Sequence, residues 1–187
     1  MDIFALLCLK SVLSNINNAI TLRLQIGLGD WIADNYKLDL AARDQIRKII
    51  LESKPNSNGY DLWLGYPMTF IAEVKCNIPV NGGNKYGAQQ KIGILGDVEA
   101  LLSGKRKSPM IVDGVLKFMA FLDLPAIRAA NDHLLKTTPS LAQKIRFWNG
   151  EGAPNDTTFV HGIYIGIEAS HPFNRTLHSS TPPGPQN

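Results

Sequence analysis

Tyr60-Asp61-Leu62-Trp63-Leu64 and, after a short break, Ile71-Ala72-Glu73-Val74-Lys75 form the stretch on which the reading of this chain turns. Both runs are apolar and strand-like, both carry acid groups, and the second carries Glu-x-Lys. Side chains alternate faces along a strand, so Glu73 and Lys75 point one way while Phe70, Ala72, Val74 and Cys76 point the other, into a core. Two charged groups side by side on a mostly apolar strand are costly unless something uses them. With Asp61 on a neighbouring strand, two carboxylates and one ammonium converge on one spot. Such a spot suits a hard divalent cation and a water held by lysine. The plain structural alternative is a Glu73–Lys75 surface pair on an edge strand with Asp61 at a turn, an arrangement that contributes little.

N-terminal to this stretch, residues 3–36 read as helical. Leu6, Leu7, Leu9, Val12, Leu13, Ile16, Ile20, Leu22 and Leu24 recur at near-helical spacing, and Gly27 and Gly29 are expected to divide the region into two helices. Asp39 suits the cap of a further helix reaching about Ser53, with Ala42, Ile46, Ile49 and Ile50 on one face. Residues 55–59, Pro-Asn-Ser-Asn-Gly, compose a loop.

C-terminal to it, a loop at 79–85 rich in Gly and Asn would pass close to any site built on Glu73 and Lys75. A helix over 86–103 is expected to bury Ile92, Leu95, Val98 and Leu102, and a short basic loop follows at 104–107. Residues 115–122 read as a central strand, and Pro125 opens a helix to about Lys136. A further helical piece is expected at 140–148, a polar loop at 151–156 and an alternating strand at 158–167. From His171 onward the chain is rich in Pro, Ser and Asn, and 171–187 is expected to be a flexible tail to a single domain over 1–170. This order gives an α/β sandwich around a mixed sheet.

The 187 residues suit one domain with a sizeable core, and 44% hydrophobic with 19% charged residues is ordinary for a globular protein. A net charge of +3 with a pI near 8.9 is compatible with a polyanionic partner. The two cysteines, Cys8 and Cys76, suggest neither a disulfide framework nor a zinc site. The apolar N-terminus carries Asp2 where a signal peptide carries positive charge, and Lys10 interrupts it. It therefore reads as a packing helix, not a secretory signal or membrane span, in a cytoplasmic protein.

Asp61, Glu73 and Lys75, with helix-like segments before and after, resemble the PD-(D/E)XK nuclease superfamily, which includes restriction endonucleases, DNA-repair nucleases and Holliday-junction resolvases. The likeness covers the middle third of the chain, and its motif is short and degenerate. Tyr60 stands where many members have proline. The resemblance implies a restriction-endonuclease-like mixed β-sheet flanked by helices. It also implies a Mg²⁺-dependent DNA endonuclease hydrolysing phosphodiester bonds, in the manner of a small type II restriction enzyme. Asp61 and Glu73 would be the metal ligands, with the Val74 carbonyl as a third oxygen and Mn²⁺ as a substitute ion. Lys75 would orient the attacking water. Double-stranded DNA would be the partner, and a homodimer would form through the helical N-terminal region. The alternatives are a repair or junction nuclease of the same superfamily, a non-catalytic nucleic-acid-binding protein with this fold, and a chance match.

Many members carry one more acid on the preceding helix; Asp30, Asp44 and Glu52 are the candidates, each read first as a solvated charge or cap, with Asp44 preferred if one of them serves. Gln89 and Gln90 lie where several relatives point a polar residue at the phosphate, although the solvent-facing reading of these glutamines is the favoured one. Lys105, Arg106 and Lys107, joined by Lys85 and Lys91, are either phosphate contacts or solvated charges. Trp63 shares a strand face with Asp61, whereas Trp31 and Trp148 read as packing residues. His133, His161, His171 and His178 show no metal-ligand spacing.

Overall fold

The computed structural model describes residues 2–53, 59–80, 83–105 and 111–166. Helix α1 (Ile3–Asn35) starts at Asp2, whose carboxylate accepts the Ala5 N–H at 2.7 Å. It runs unbroken through Gly27 and Gly29, so the expected division into two helices does not occur. Both glycines are points of close approach. A Cβ on Gly27 would collide with Ile165, and one on Gly29 would stand 2.8 Å from Ile46 Cγ2. Packing at these two contacts offsets the helix-propensity cost of glycine, about 1 kcal/mol each. Helix α2 (Leu40–Glu52) is capped by Asp39, which accepts the Ala42 N–H at 2.8 Å, and it buries Ile46 and Ile50.

Five strands follow: β1 (Leu62–Leu64), β2 (Phe70–Lys75), β3 (Leu116–Leu122), β4 (Ile145–Phe147) and β5 (Val160–Ile165). Their order across the sheet is β1-β2-β3-β5-β4; β1 is antiparallel to β2 and the other neighbours are parallel. Helix α3 (Ala88–Ser103) connects β2 to β3, and α4 (Pro125–Thr137) with the short α5 (Pro139–Ala142) connects β3 to β4. The architecture is an α/β sandwich with a five-stranded mixed sheet between helices. Leu62, Leu64, Phe70, Ala72, Val74, Phe118, Ala120, Ile163 and Ile165 meet α1 and α2. Ile71, Met119, Phe121, Ile145 and Val160 meet α3, α4 and α5. Both faces of β2 are therefore buried, and β1 covers its outer side.

Three further expectations are corrected. Residues 145–147 form β4 and not the end of a helix. Ile145 and Phe147 fall on one face of an extended segment, where Phe147 stacks on Tyr164 at 5.0 Å, and the backbone pairs with β5. Helix α3 buries Ile94, Val98 and Leu101; Leu95 and Leu102 flank this stripe and Ile92 is exposed, so the apolar face is rotated from the expected one. The first part of α1 is not packed within the molecule. Ile3, Phe4, Leu6, Leu7, Leu9, Val12, Leu13 and Ile16 are exposed, and burial begins in earnest at Leu24. Among the described residues, α1 is the one helix long and apolar enough to cross a membrane by length and composition, and its apolar window is not buried. Residues 54–58, 81–82 and 106–110, which include parts of the three expected loops, and the expected tail at 171–187 lie outside the described residues.

Phe118 anchors the α1/α2 side of the sheet. It is fully buried, with Phe70 and Trp31 edge-on at 5.7 and 6.0 Å. Phe118→Ala is expected to destabilise the chain by about 3–5 kcal/mol in denaturant unfolding. A loss below about 1 kcal/mol would contradict this packing.

Candidate active site

The β1–β2 pair sets Leu62 opposite Ala72, Trp63 opposite Ile71 and Leu64 opposite Phe70. Asp61 stands just before β1, where the paired register ends, and is close enough for its charge to act on Glu73. Two bonds fix Asp61. Its Oδ2 accepts the Val74 N–H at 2.9 Å, and its backbone carbonyl accepts Gln25 Nε2 of α1 at 2.6 Å. Glu73 is 4% exposed on the α3 side of the sheet. Its Oε1 accepts Lys105 Nζ at 2.6 Å, and that ammonium also stands 4.9 Å from the centroid of the Tyr60 ring. Lys105 follows Gly104, whose φ of +84° places it in the left-handed region that favours glycine where α3 ends. Lys75 ends β2 and is ion-paired with Asp97 of α3.

The structure thus brings Asp61, Glu73 and Lys75 to one end of the β1–β2 pair. It adds two groups that sequence reasoning did not place there: Asp97, and Lys105 as a partner of Glu73. A signal for Asp97 was present. Ile94, Asp97, Val98 and Leu101 follow helical face spacing, so Asp97 is a charge on the stripe that α3 turns toward the sheet. The three acids proposed for an additional role are elsewhere. Arg47 holds Asp30 with two bonds of 2.8 and 2.9 Å, Asp44 is exposed and acts on the same guanidinium, and Glu52 is exposed at the end of α2. Gln90 closes the start of α3, accepting the Gly87 N–H at 3.0 Å and donating to the Ile78 carbonyl at 2.8 Å, while Gln89 is exposed. Trp63 is exposed beside Asp61. His161 is buried against Phe118, with Nε2 2.7 Å from the Asp156 carbonyl, and takes no part in the site.

The Glu73 carboxyl group has its pKa raised to about 8. Burial is the main cause, and the charges of Asp61 and Asp97 push the same way; the Lys105 ammonium opposes them without prevailing. A divalent cation shared with Asp61 would reverse this balance. Among the described residues, no three of His, Cys, Asp and Glu come together as a metal-holding group. Mg²⁺, however, keeps several waters and is commonly held by one or two carboxylates beside substrate phosphates. The neighbouring carboxylates of Asp61 and Glu73 fit that requirement.

The raised Glu73 pKa has a definite consequence for stability. Between about 4.5 and 8 the folded chain keeps a proton that the unfolded chain releases, so stability falls as pH rises through that window. The melting temperature of the metal-free protein is expected to drop by a few degrees from pH 5 to pH 8. Glu73→Gln should remove most of that drop, and an equal decline in the variant would show that other groups cause it. Compared with protein-family models, curated proteins and solved structures, the chain finds no match.

Proposed function

We propose that the chain is a Mg²⁺-dependent endonuclease that hydrolyses phosphodiester bonds of double-stranded DNA, with a restriction-endonuclease-like architecture of the PD-(D/E)XK kind. The observation that carries this reading is the proximity of Asp61, held on the Val74 N–H, to the buried Glu73, with Lys75 on the Glu73 side of β2. A metal ion held by Asp61 and Glu73, with the Val74 carbonyl as a further oxygen, would polarise the phosphate and activate water, and Mn²⁺ would substitute. The chain's own residues do the rest. The Val74 N–H and Gln25 hold Asp61 in place. Lys75, steered by Asp97, orients the attacking water. Lys105, with Lys85 and Lys91, supplies positive charge for the DNA backbone.

Incubation of the protein with plasmid and phage DNA, with and without Mg²⁺, tests this. Asp61→Ala, Glu73→Ala and Lys75→Ala are each expected to reduce cleavage by at least about a hundredfold, the scale of positioned acid–base and metal contributions. Each variant should remain folded. Discrete metal-dependent bands fit a restriction-type enzyme, and a smear or structure-dependent cutting fits a repair or junction nuclease. Binding without cleavage of any duplex, junction or single strand would make the chain a non-catalytic nucleic-acid-binding protein.

A second copy of the chain is the partner that suits α1. Leu6, Leu9, Leu13, Ile16 and Ile20 alternate at spacings of three and four, the seam of a helix pair, and the first four are each roughly half exposed. Ser11, Ser14, Asn15 and Asn18 lie on the side away from this seam, together with the exposed apolar Phe4 and Leu7. Two such seams would bury on the order of 1,000 Å², the area that a specific interface needs. Light scattering is expected to give a dimer, and Leu9→Glu with Leu13→Glu a folded monomer. A wild-type monomer that partitions onto phosphatidylcholine vesicles would make α1 a membrane helix instead.

A further inference from the structure

We propose that Lys105 is a built-in counter-ion that stands beside Glu73 in place of a divalent metal, yields to that metal, and is thereby freed to bind a substrate phosphate. This rests on the reading of Asp61 and Glu73 as metal ligands. Three observations support it. First, Lys75, the ammonium expected to sit with Glu73, is engaged by Asp97, and the group on Glu73 Oε1 is Lys105 Nζ at 2.6 Å. Second, the ammonium lies in a cradle made of one buried carboxylate and one aromatic face. The Tyr60 ring is 4.9 Å away, and its hydroxyl is tied to the Ala100 carbonyl of α3 at 3.2 Å. Third, Lys105 is the second residue past the α3 terminus, after a glycine at φ +84°, whereas Lys75 is fixed in the sheet. Of the two ammonium groups, Lys105 is therefore the one outside the sheet.

An ammonium and a divalent cation on the same carboxylate repel each other strongly at such range, the more so away from water. Binding of the metal therefore expels Lys105 from Glu73. The displaced side chain has a flexible four-carbon stem and remains at the mouth of the site, where a phosphodiester is the anion next to arrive. Lys105 is in this way both a brake on metal binding and a phosphate contact that is available only when the metal is present.

Mn²⁺ titration by calorimetry, without nucleic acid, separates the possibilities. Lys105→Gln is expected to bind Mn²⁺ roughly tenfold more tightly than the wild type, since it removes a competing charge. Lys105→Arg should stay near the wild type, and Glu73→Gln should lose binding. The melting temperature of each variant serves as the control for folding. Equal or weaker binding by Lys105→Gln, with wild-type binding intact, would overturn the role of Lys105 and leave the metal site standing. Absence of Mn²⁺ binding in both would overturn the metal reading itself. With duplex DNA and Ca²⁺, Lys105→Gln should lower the salt dependence of binding by about one phosphate contact. The same loss without Ca²⁺ would mean that Lys105 is free already, contrary to the proposal.

Discussion

Burial of the Glu73 carboxyl group between β1, β3 and α3 is the constraint around which the rest of this molecule is arranged. A carboxylate removed from water loses solvation worth several kcal/mol, and one ammonium rarely restores it in full. Asp61 on the adjoining strand and Asp97 on the covering helix make the position worse. An apolar side chain of similar size would serve the sheet at least as well, so stability alone gives no reason for a glutamate here. The neighbouring core obeys the ordinary rule: Ile71 and Met119, on the same side of the sheet, are fully buried hydrophobes. Two buried charges in the sheet break it: Lys117 of β3, whose ammonium donates to the Val112, Val115 and Thr157 carbonyls at 2.8 Å each, and Glu73, which has a single lysine and lies where a site is mounted on the scaffold.

That scaffold is stiff where the site needs it. Asp61 is held by a strand neighbour and by a buried glutamine from α1, so the sheet and the α1 layer both contribute to its position. α1 can lie close enough to do this because Gly27 and Gly29 let it approach β5 and α2 at near-backbone range. On the opposite side of the sheet, α3 is oriented by Ile94, Val98 and Leu101, and the same orientation presents Asp97 to Lys75. The helix packing and the ion pair are consequences of one helical rotation. A chain that buried Ile92 instead would point Asp97 elsewhere.

Much of this was legible in the sequence. The β1–β2 runs, the sharing of a face by Glu73 and Lys75, the Asp39 cap and the central position of β3 all follow from local periodicity and capping chemistry. What was not legible depended on tertiary packing. The two glycines of α1 carry the same signal whether they break a helix or admit a neighbour, and only Ile165, Ile46 and Ile50 decide between these. Residues 145–147 are too short for periodicity to separate strand from helix, and pairing with β5 settles it. Lys105 read as a loop cation because nothing in a Gly-Lys-Arg-Lys run announces that one lysine folds back onto a buried acid.

The charge inventory of the site gives the arrangement its direction. Three carboxylates, Asp61, Glu73 and Asp97, face two ammonium groups, Lys75 and Lys105. Fully ionised, the group carries one net negative charge in a place where water cannot screen it well. A proton on Glu73 brings the metal-free group to neutrality, which agrees with the raised pKa of that residue. A divalent cation in place of the proton would neutralise the three carboxylates and Lys75 among themselves and leave the displaced Lys105 as one net positive charge, matched in magnitude to a single phosphodiester. The groups that make Glu73 costly on its own are thus those that make the site receptive first to a cation and then to an anion. An incidental surface pair of Glu73 and Lys75 would require neither the burial nor the second lysine.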